Sequence, residues 1–121
     1  MDLQLTGKTA LITGASKGIG LACAHAFASE GCHLHLAARS GDALEAIKAE
    51  ITAAHGVHVH LHVMDLCISD NLVSLAQKAA GCDILINNAG DVPSGHIESL
   101  TEADWRRGYD LKLFGYIGLT R

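Results

Sequence analysis

The residues best placed to do chemistry lie in one stretch, Thr13-Gly14-Ala15-Ser16-Lys17-Gly18-Ile19-Gly20. An apolar run, Thr9-Ala10-Leu11-Ile12, leads into it, and an alanine-rich segment from Leu21 to Glu30 leads out. That order predicts a strand, a glycine turn and a helix N-terminus. Such a junction binds anions, because unpaired backbone N–H groups and the positive end of the helix dipole converge on the turn. Glycine is needed where a Cβ would strain the turn or hold a phosphate away from the backbone. The glycines at 14, 18 and 20 depart from the commoner G-x-G-x-x-G spacing, and alone they fit a ligand-free glycine-rich turn equally well.

Residues downstream favour the ligand. Arg39 follows Gly20 by 19 residues, at the end of the second expected strand. A carboxylate there grips an adenosine 2′-hydroxyl, whereas an arginine accommodates a 2′-phosphate. Ala37 and Ala38 supply no acid, and Asp42 lies only in the next turn. With Lys17 as a second cation, the pattern favours NADP(H) over NAD(H). The plainer reading of Arg39 is a solvated surface arginine. Asp65, ending the third strand, fits either an acceptor for an adenine amino group or a turn-capping aspartate. In Asn87-Asn88-Ala89-Gly90, the amides suit the tying of neighbouring loops, and Ala89 and Gly90 leave room for a bound ring. The plainer reading is a simple turn, since Asn and Gly are turn residues.

The elements that must position these groups alternate. Lys8–Thr13, Cys32–Ala38, Val57–Met64 and Asp83–Ile86 read as strands. Residues 18–30 read as a helix closed by Gly31. Asp42–Ala54 reads as a second, closed by Gly56, with Leu44, Ile47 and Ile51 on one buried face. Asp70–Ala80 reads as a third, capped by Ser69 and ended by Gly81. Residues 91–100 read as a loop. Thr101 caps a last helix from Glu102 onward, with Glu102 and Asp104 in its first turn. This alternation predicts an α/β fold with a doubly wound parallel sheet. The glycine turn then lies at the C-terminal edge of the sheet, where ligands bind in such folds.

Composition agrees. Hydrophobic residues are 49% of 121, enough for one packed domain. A net charge of −4 with few aromatics argues against nucleic acid. No apolar stretch approaches the ~20 residues of a membrane helix, and the first residues do not read as a signal peptide. Cys23, Cys32, Cys67 and Cys82 include no C-x-x-C pair. They read as buried free thiols, which points to a reducing, cytoplasmic setting.

The set Thr13–Gly20, Asp65-Leu66, Asn87–Gly90 and a helix bearing Trp105 resembles the short-chain dehydrogenases/reductases in order and spacing, over essentially the whole chain. The resemblance implies a Rossmann-like, doubly wound parallel sheet with strand order 3-2-1-4, and a nicotinamide dinucleotide. By position, Gly14, Ser16, Lys17, Gly18, Ile19 and Gly20 would form the pyrophosphate and adenosine-ribose side. Arg39 and Ser40 would hold the 2′-phosphate, and Asp65 and Leu66 would flank the adenine. Asn88, Ala89 and Gly90 would line the ribose nearer the nicotinamide. It further implies a small carbonyl or alcohol substrate, hydride transfer and a homo-oligomer. Two departures stand out. Lys112 occupies the place of a family asparagine that kinks the last helix and holds a water in a proton relay. The family's catalytic Tyr-x-x-x-Lys and preceding Ser are absent: Tyr109 is followed four residues later by Leu113, and Tyr116 by Thr120. They would lie beyond Arg121, so the 121 residues are expected to form the cofactor half, inactive alone, with an exposed fourth strand. The competing reading is a non-catalytic dinucleotide-binding module.

His33 and His35 alternate along strand two, and His58, His60 and His62 along strand three. On one face, imidazoles at ~5 Å lateral spacing would suit Zn²⁺, Ni²⁺ or Cu²⁺. The plainer reading, adopted for the site assignment, is an edge strand with a partly wet face and no metal.

Overall fold

The structure, a computed structural model, describes residues 1–90 and 93–121. Residues 91 and 92 of the expected 91–100 loop lie outside the described residues. The order is β1 (Thr9–Thr13), α1 (Gly18–Ser29), β2 (His33–Ala38), α2 (Gly41–His55), β3 (Val59–Val63), α3 (Ser69–Lys78) and β4 (Ile84–Ile86). The chain closes with α4 (Glu102–Tyr109), a π-helical segment (Asp110–Phe114) and α5 (Gly115–Thr120). All strand pairs are parallel, in the order β3-β2-β1-β4. This is the doubly wound arrangement the alternation predicts.

Side-chain alternation on the buried strands builds two cores. Ala10 and Ile12 of β1 and Leu34, Leu36 and Ala38 of β2 pack with Ala24 and Ala28 of α1 and Leu44, Ile47 and Ile51 of α2. Leu11 and Ala37 face the other way, onto Leu72 and Leu75 of α3, Ala79 and Leu111. Apolar residues on both faces explain why β1 reads as a nearly continuous hydrophobic run. The outer strands differ. Among the described residues β3 pairs only with β2, and β4 only with β1. The three residues of β4 are all half-buried.

Three details depart from the sequence reading. Ser69 does not cap α3: Ile68 holds the cap position with no side-chain hydrogen bond. Asp65 shapes the turn ahead of the helix, its Oδ1 accepting the Cys67 N–H at 2.9 Å while its carbonyl accepts from Asn71 Nδ2 at 2.8 Å. The helix also stops at Lys78, before Ala80. Second, the last helix is interrupted. It starts as expected, with Thr101 and Asp104 in a reciprocal capping box. Around Lys112 it widens, and the Gly115 N–H reaches back five residues to the Asp110 carbonyl. Third, of the four free cysteines only Cys32 is fully buried. Its thiol is pushed above the ordinary range, first by burial and then by Glu30. No helix among the described residues is long and apolar enough to cross a membrane.

Candidate cofactor site

The site is built where β1 and β4 end side by side. Thr13, the last residue of β1, is 1% exposed. Its hydroxyl accepts the N–H groups of Asn88 and Ala89, each at 3.0 Å, and donates to the Ile86 carbonyl at 3.4 Å. The Asn88 amide returns the link, donating to the carbonyls of Thr13 at 3.3 Å and Gly14 at 3.2 Å. One buried hydroxyl and one side-chain amide thus lock the glycine turn to the Asn-Asn-Ala-Gly loop. Thr13→Val preserves the volume and leaves two N–H groups without their acceptor. We expect a loss of about 2 kcal/mol, read as a melting temperature lowered by roughly 5–10 °C.

The turn then enters α1. Gly14 and Gly18 have φ of +64° and +58°, which β-carbon-bearing residues resist. Lys17 is extended and caps α1 without a side-chain hydrogen bond, and the first turn holds no acid. The positive helix end is therefore not neutralised by its own sequence. Ala15 N–H bonds to the Ala37 carbonyl at 3.3 Å, joining the turn to the end of β2.

These edges enclose a cleft of about 300 Å³. Gly14, Ser16, Lys17, Gly18, Ile19, Arg39, Asp65, Leu66, Asn88, Ala89 and Gly90 line it together. Two of the sequence candidates lie off its wall. Gly20 packs behind the turn, against the Gly14 carbonyl and the Asn88 amide. Ser40 caps α2, its hydroxyl accepting from Ala43 N–H at 3.4 Å. Asp65 points its second carboxylate oxygen toward Arg107 Nη1, 3.5 Å away. Its carboxyl is held below the ordinary range, first by the Cys67 N–H and further by the charge of Arg107. The aspartate is thus a turn-former as well as a wall of the cleft.

Lys112 sits at the far end. A Cβ on Gly90 would lie 3.8 Å from its Nζ. Its ammonium donates to Tyr116 Oη at 3.3 Å and lies 5.2 Å from the tyrosine ring centre. Trp105, Tyr109, Leu113 and Tyr116 line an adjoining apolar pocket of about 390 Å³ with it. Asn87, next to the cleft residues, donates through Nδ2 to Thr120 Oγ1 at 3.0 Å. Its Oδ1 is buried without a partner among the described residues.

This geometry has close parallels. Residues 8–121 match the short chain dehydrogenase family. The chain belongs to that family. Galactitol 2-dehydrogenase of Agrobacterium fabrum is 38% identical over 118 residues, covering 93% of this chain and 44% of that enzyme. Nodulation protein G of Rhizobium sp. (strain N33) is 37% identical over 122 residues, covering 98% of this chain and 48% of that protein. L-sorbose reductase from Gluconobacter frateurii, solved with NADPH and L-sorbose, superposes with a TM-score of 0.95 at 34% identity, over 100% of this chain and 48% of that one. A metagenomic short-chain oxidoreductase solved with NADP gives 0.89 at 35% identity, over 96% and 54%. The chain spans about half the length of the curated relatives it matches.

Within this short-chain dehydrogenase fold, Ala37, Ala38, Met64 and Leu111 also line the cleft, and the motif reading passed over them. Three had a local signal: Ala37 and Ala38 directly precede Arg39, and Met64 directly precedes Asp65. Leu111 had none, since only the return of the last helix brings it to the sheet edge. Around Lys112 the helix is irregular, in a π-helical turn of the kind found at functional sites.

Proposed function

We propose that this chain is the cofactor-binding half of an NADP(H)-preferring short-chain oxidoreductase that moves a hydride between the dinucleotide and a small carbonyl or alcohol. The observation that carries the reading is the pairing of Lys17 and Arg39 on one cleft, above the uncapped N-terminus of α1. β2 ends in Ala37-Ala38-Arg39, with no acid to take a 2′-hydroxyl. The cradle also fits a pyrophosphate. Its glycines leave backbone N–H groups accessible where side chains would intrude, and the helix end supplies positive potential.

In this reading Gly14, Ser16, Lys17, Gly18 and Ile19 bind the pyrophosphate and its ribose. Gly20 lets α1 approach the turn. Arg39 and the Ser40 hydroxyl take the 2′-phosphate, Asp65 and Leu66 bracket the adenine, and Asn88, Ala89 and Gly90 face the second ribose. The bound nicotinamide supplies the hydride chemistry. Lys112, charged, donates where an asparagine would both donate and accept, so the proton path at this end is rearranged around the Lys112–Tyr116 pair. The acid–base tyrosine, its lysine and the serine come from outside these residues in this proposal, and the 121-residue chain binds without turnover. The exposed apolar row Tyr109, Leu113, Phe114 and Ile117 suits a homo-oligomer contact. The reducing cytoplasm suits four free thiols.

Calorimetric titration tests the first step. NADP⁺ is expected to bind at least ~10-fold tighter than NAD⁺, a difference of about 1.4 kcal/mol. Equal affinities would remove the preference, and no binding of either would remove the cofactor reading. The absence of Tyr-x-x-x-Lys from these residues also suits a non-catalytic binding module. Turnover of a carbonyl panel by the longest natural form of the chain, with NADPH, separates the two.

A further inference from the structure

His33 and His35 of β2, His60 and His62 of β3, and His58 just ahead of β3 form a seam along one strand pair. The register sets His35 beside His60 and Ala37 beside His62. At one end, His33 Nδ1 accepts the backbone N–H of His58 at 3.1 Å. At the other, His35 Nδ1 and His62 Nε2 are 2.8 Å apart. Their ring planes are within 10° of parallel and the ring centres 5.1 Å apart. With the nitrogens in contact, that separation sets the rings end to end in one plane rather than face to face. His60 stacks over His35 at 4.8 Å between centres.

Hydrogen bonding then dictates protonation. His33 can accept only through an unprotonated Nδ1, so it is neutral with its proton on Nε2. Between His35 and His62 there is room for one proton, since two N–H groups cannot point at each other. His62 is buried, with 8% of its surface exposed. The groups acting electrostatically on the pair are His60, on β3, and Lys78, the last residue of α3. Neither is an acid. Burial, followed by His35, Lys78 and His60, pushes His62 down to about 4, and burial followed by His60 lowers His35. Among the described residues no group of three His, Cys, Asp or Glu side chains is placed to hold a metal ion.

The seam runs straight into the cleft. β2 continues through Ala38 into Arg39, and β3 through Val63 into Met64 and Asp65. The last rung between them is the Met64 N–H to Ala38 carbonyl bond, at 3.0 Å. We propose that the β2–β3 histidine seam is a proton-operated latch on the adenosine end of the cleft: neutral, it joins the strand ends that lead into Arg39 and Asp65, and with both rings of the His35–His62 pair protonated, it releases the last rung and weakens the bound dinucleotide. The ligand half of this inference rests on the cofactor reading above. The sign follows from linkage. A histidine lowered in the folded state disfavours protons there, so its support is complete above the ordinary histidine value and is lost as the pH falls from ~6.5 toward 4.

Two measurements on the full chain decide it. Exchange protection of the Met64 amide is followed from about pH 7.5 to about pH 4, through the window in which the support of the pair is lost. NADP⁺ affinity is followed over the same range in wild type, His62→Gln and His35→Gln. Each variant keeps a neutral hydrogen-bonding side chain, and comparison among the three cancels titration of the ligand's own phosphate. Wild type is expected to lose Met64 protection and at least ~10-fold more affinity than either variant. Constant Met64 protection in wild type, or the same pH slope in all three proteins, would overturn the latch. If no dinucleotide binds at any pH, the cofactor reading fails, and the Met64 amide alone decides whether the seam opens.

Discussion

Arg39→Asp is expected to weaken NADP(H) binding by about 100-fold while changing NAD(H) affinity by less than about 10-fold. Arg39 is exposed on the cleft wall at the end of β2, beyond two buried alanines. A guanidinium there offers a fork of donors to a phosphate. The substitution removes those charge-assisted bonds, each worth about 1.5–3 kcal/mol, and places a like charge against the 2′-phosphate. NAD(H) has a hydroxyl at that atom, and the new carboxylate can accept from it. Parallel titrations with NADP⁺ and NAD⁺ measure the difference. Equal losses for both would mean that Arg39 holds no phosphate.

The second large effect concerns folding. In Gly20→Ala the new Cβ would lie 2.2 Å from the Gly14 carbonyl oxygen and 2.6 Å from the Asn88 amide nitrogen. The first is backbone in a turn of positive φ, and the second is the side chain that bonds Thr13 and Gly14. Neither can retreat without breaking the lock between β1 and β4. We expect a loss of at least about 3 kcal/mol, a melting temperature lower by roughly 10 °C or more, and weakened nucleotide binding. Gly18→Ala is the control: its backbone is left-handed, but a Cβ there meets nothing within 4 Å. Its loss is expected to be the smaller of the two. Equal stability of wild type and Gly20→Ala would mean that α1 does not need this close approach.

The two glycines show how far local pattern carried. Their spacing revealed a tight strand-to-helix turn, and the element order revealed the sheet edge on which it sits. Their different jobs were not visible. Gly18 answers to its own dihedral angles, whereas Gly20 answers to an atom of Asn88, 68 residues away in the chain. Asp65 makes the same point. A turn-capping role was open to any aspartate at a strand end, and the Cys67 N–H confirms that role. The approach of Arg107 to its other oxygen came from α4 and had no local sign. Ser69 misled because a good capping residue type was available one position inside the true helix start.

The amino-acid order alone settled the parallel sheet, the glycine turn and the basic residue at the end of β2. Each depends on periodicity or on short-range turn chemistry, which neighbours in the chain impose on one another. Folding in three dimensions assigned the rest: the bond of Asn88 to the glycine turn, Leu111 at the cleft, the π-helical turn carrying Lys112, and the end-to-end pairing of His35 with His62. Those contacts join residues that the chain keeps far apart. Their geometry follows from how the strands and helices pack, a property that no single segment encodes.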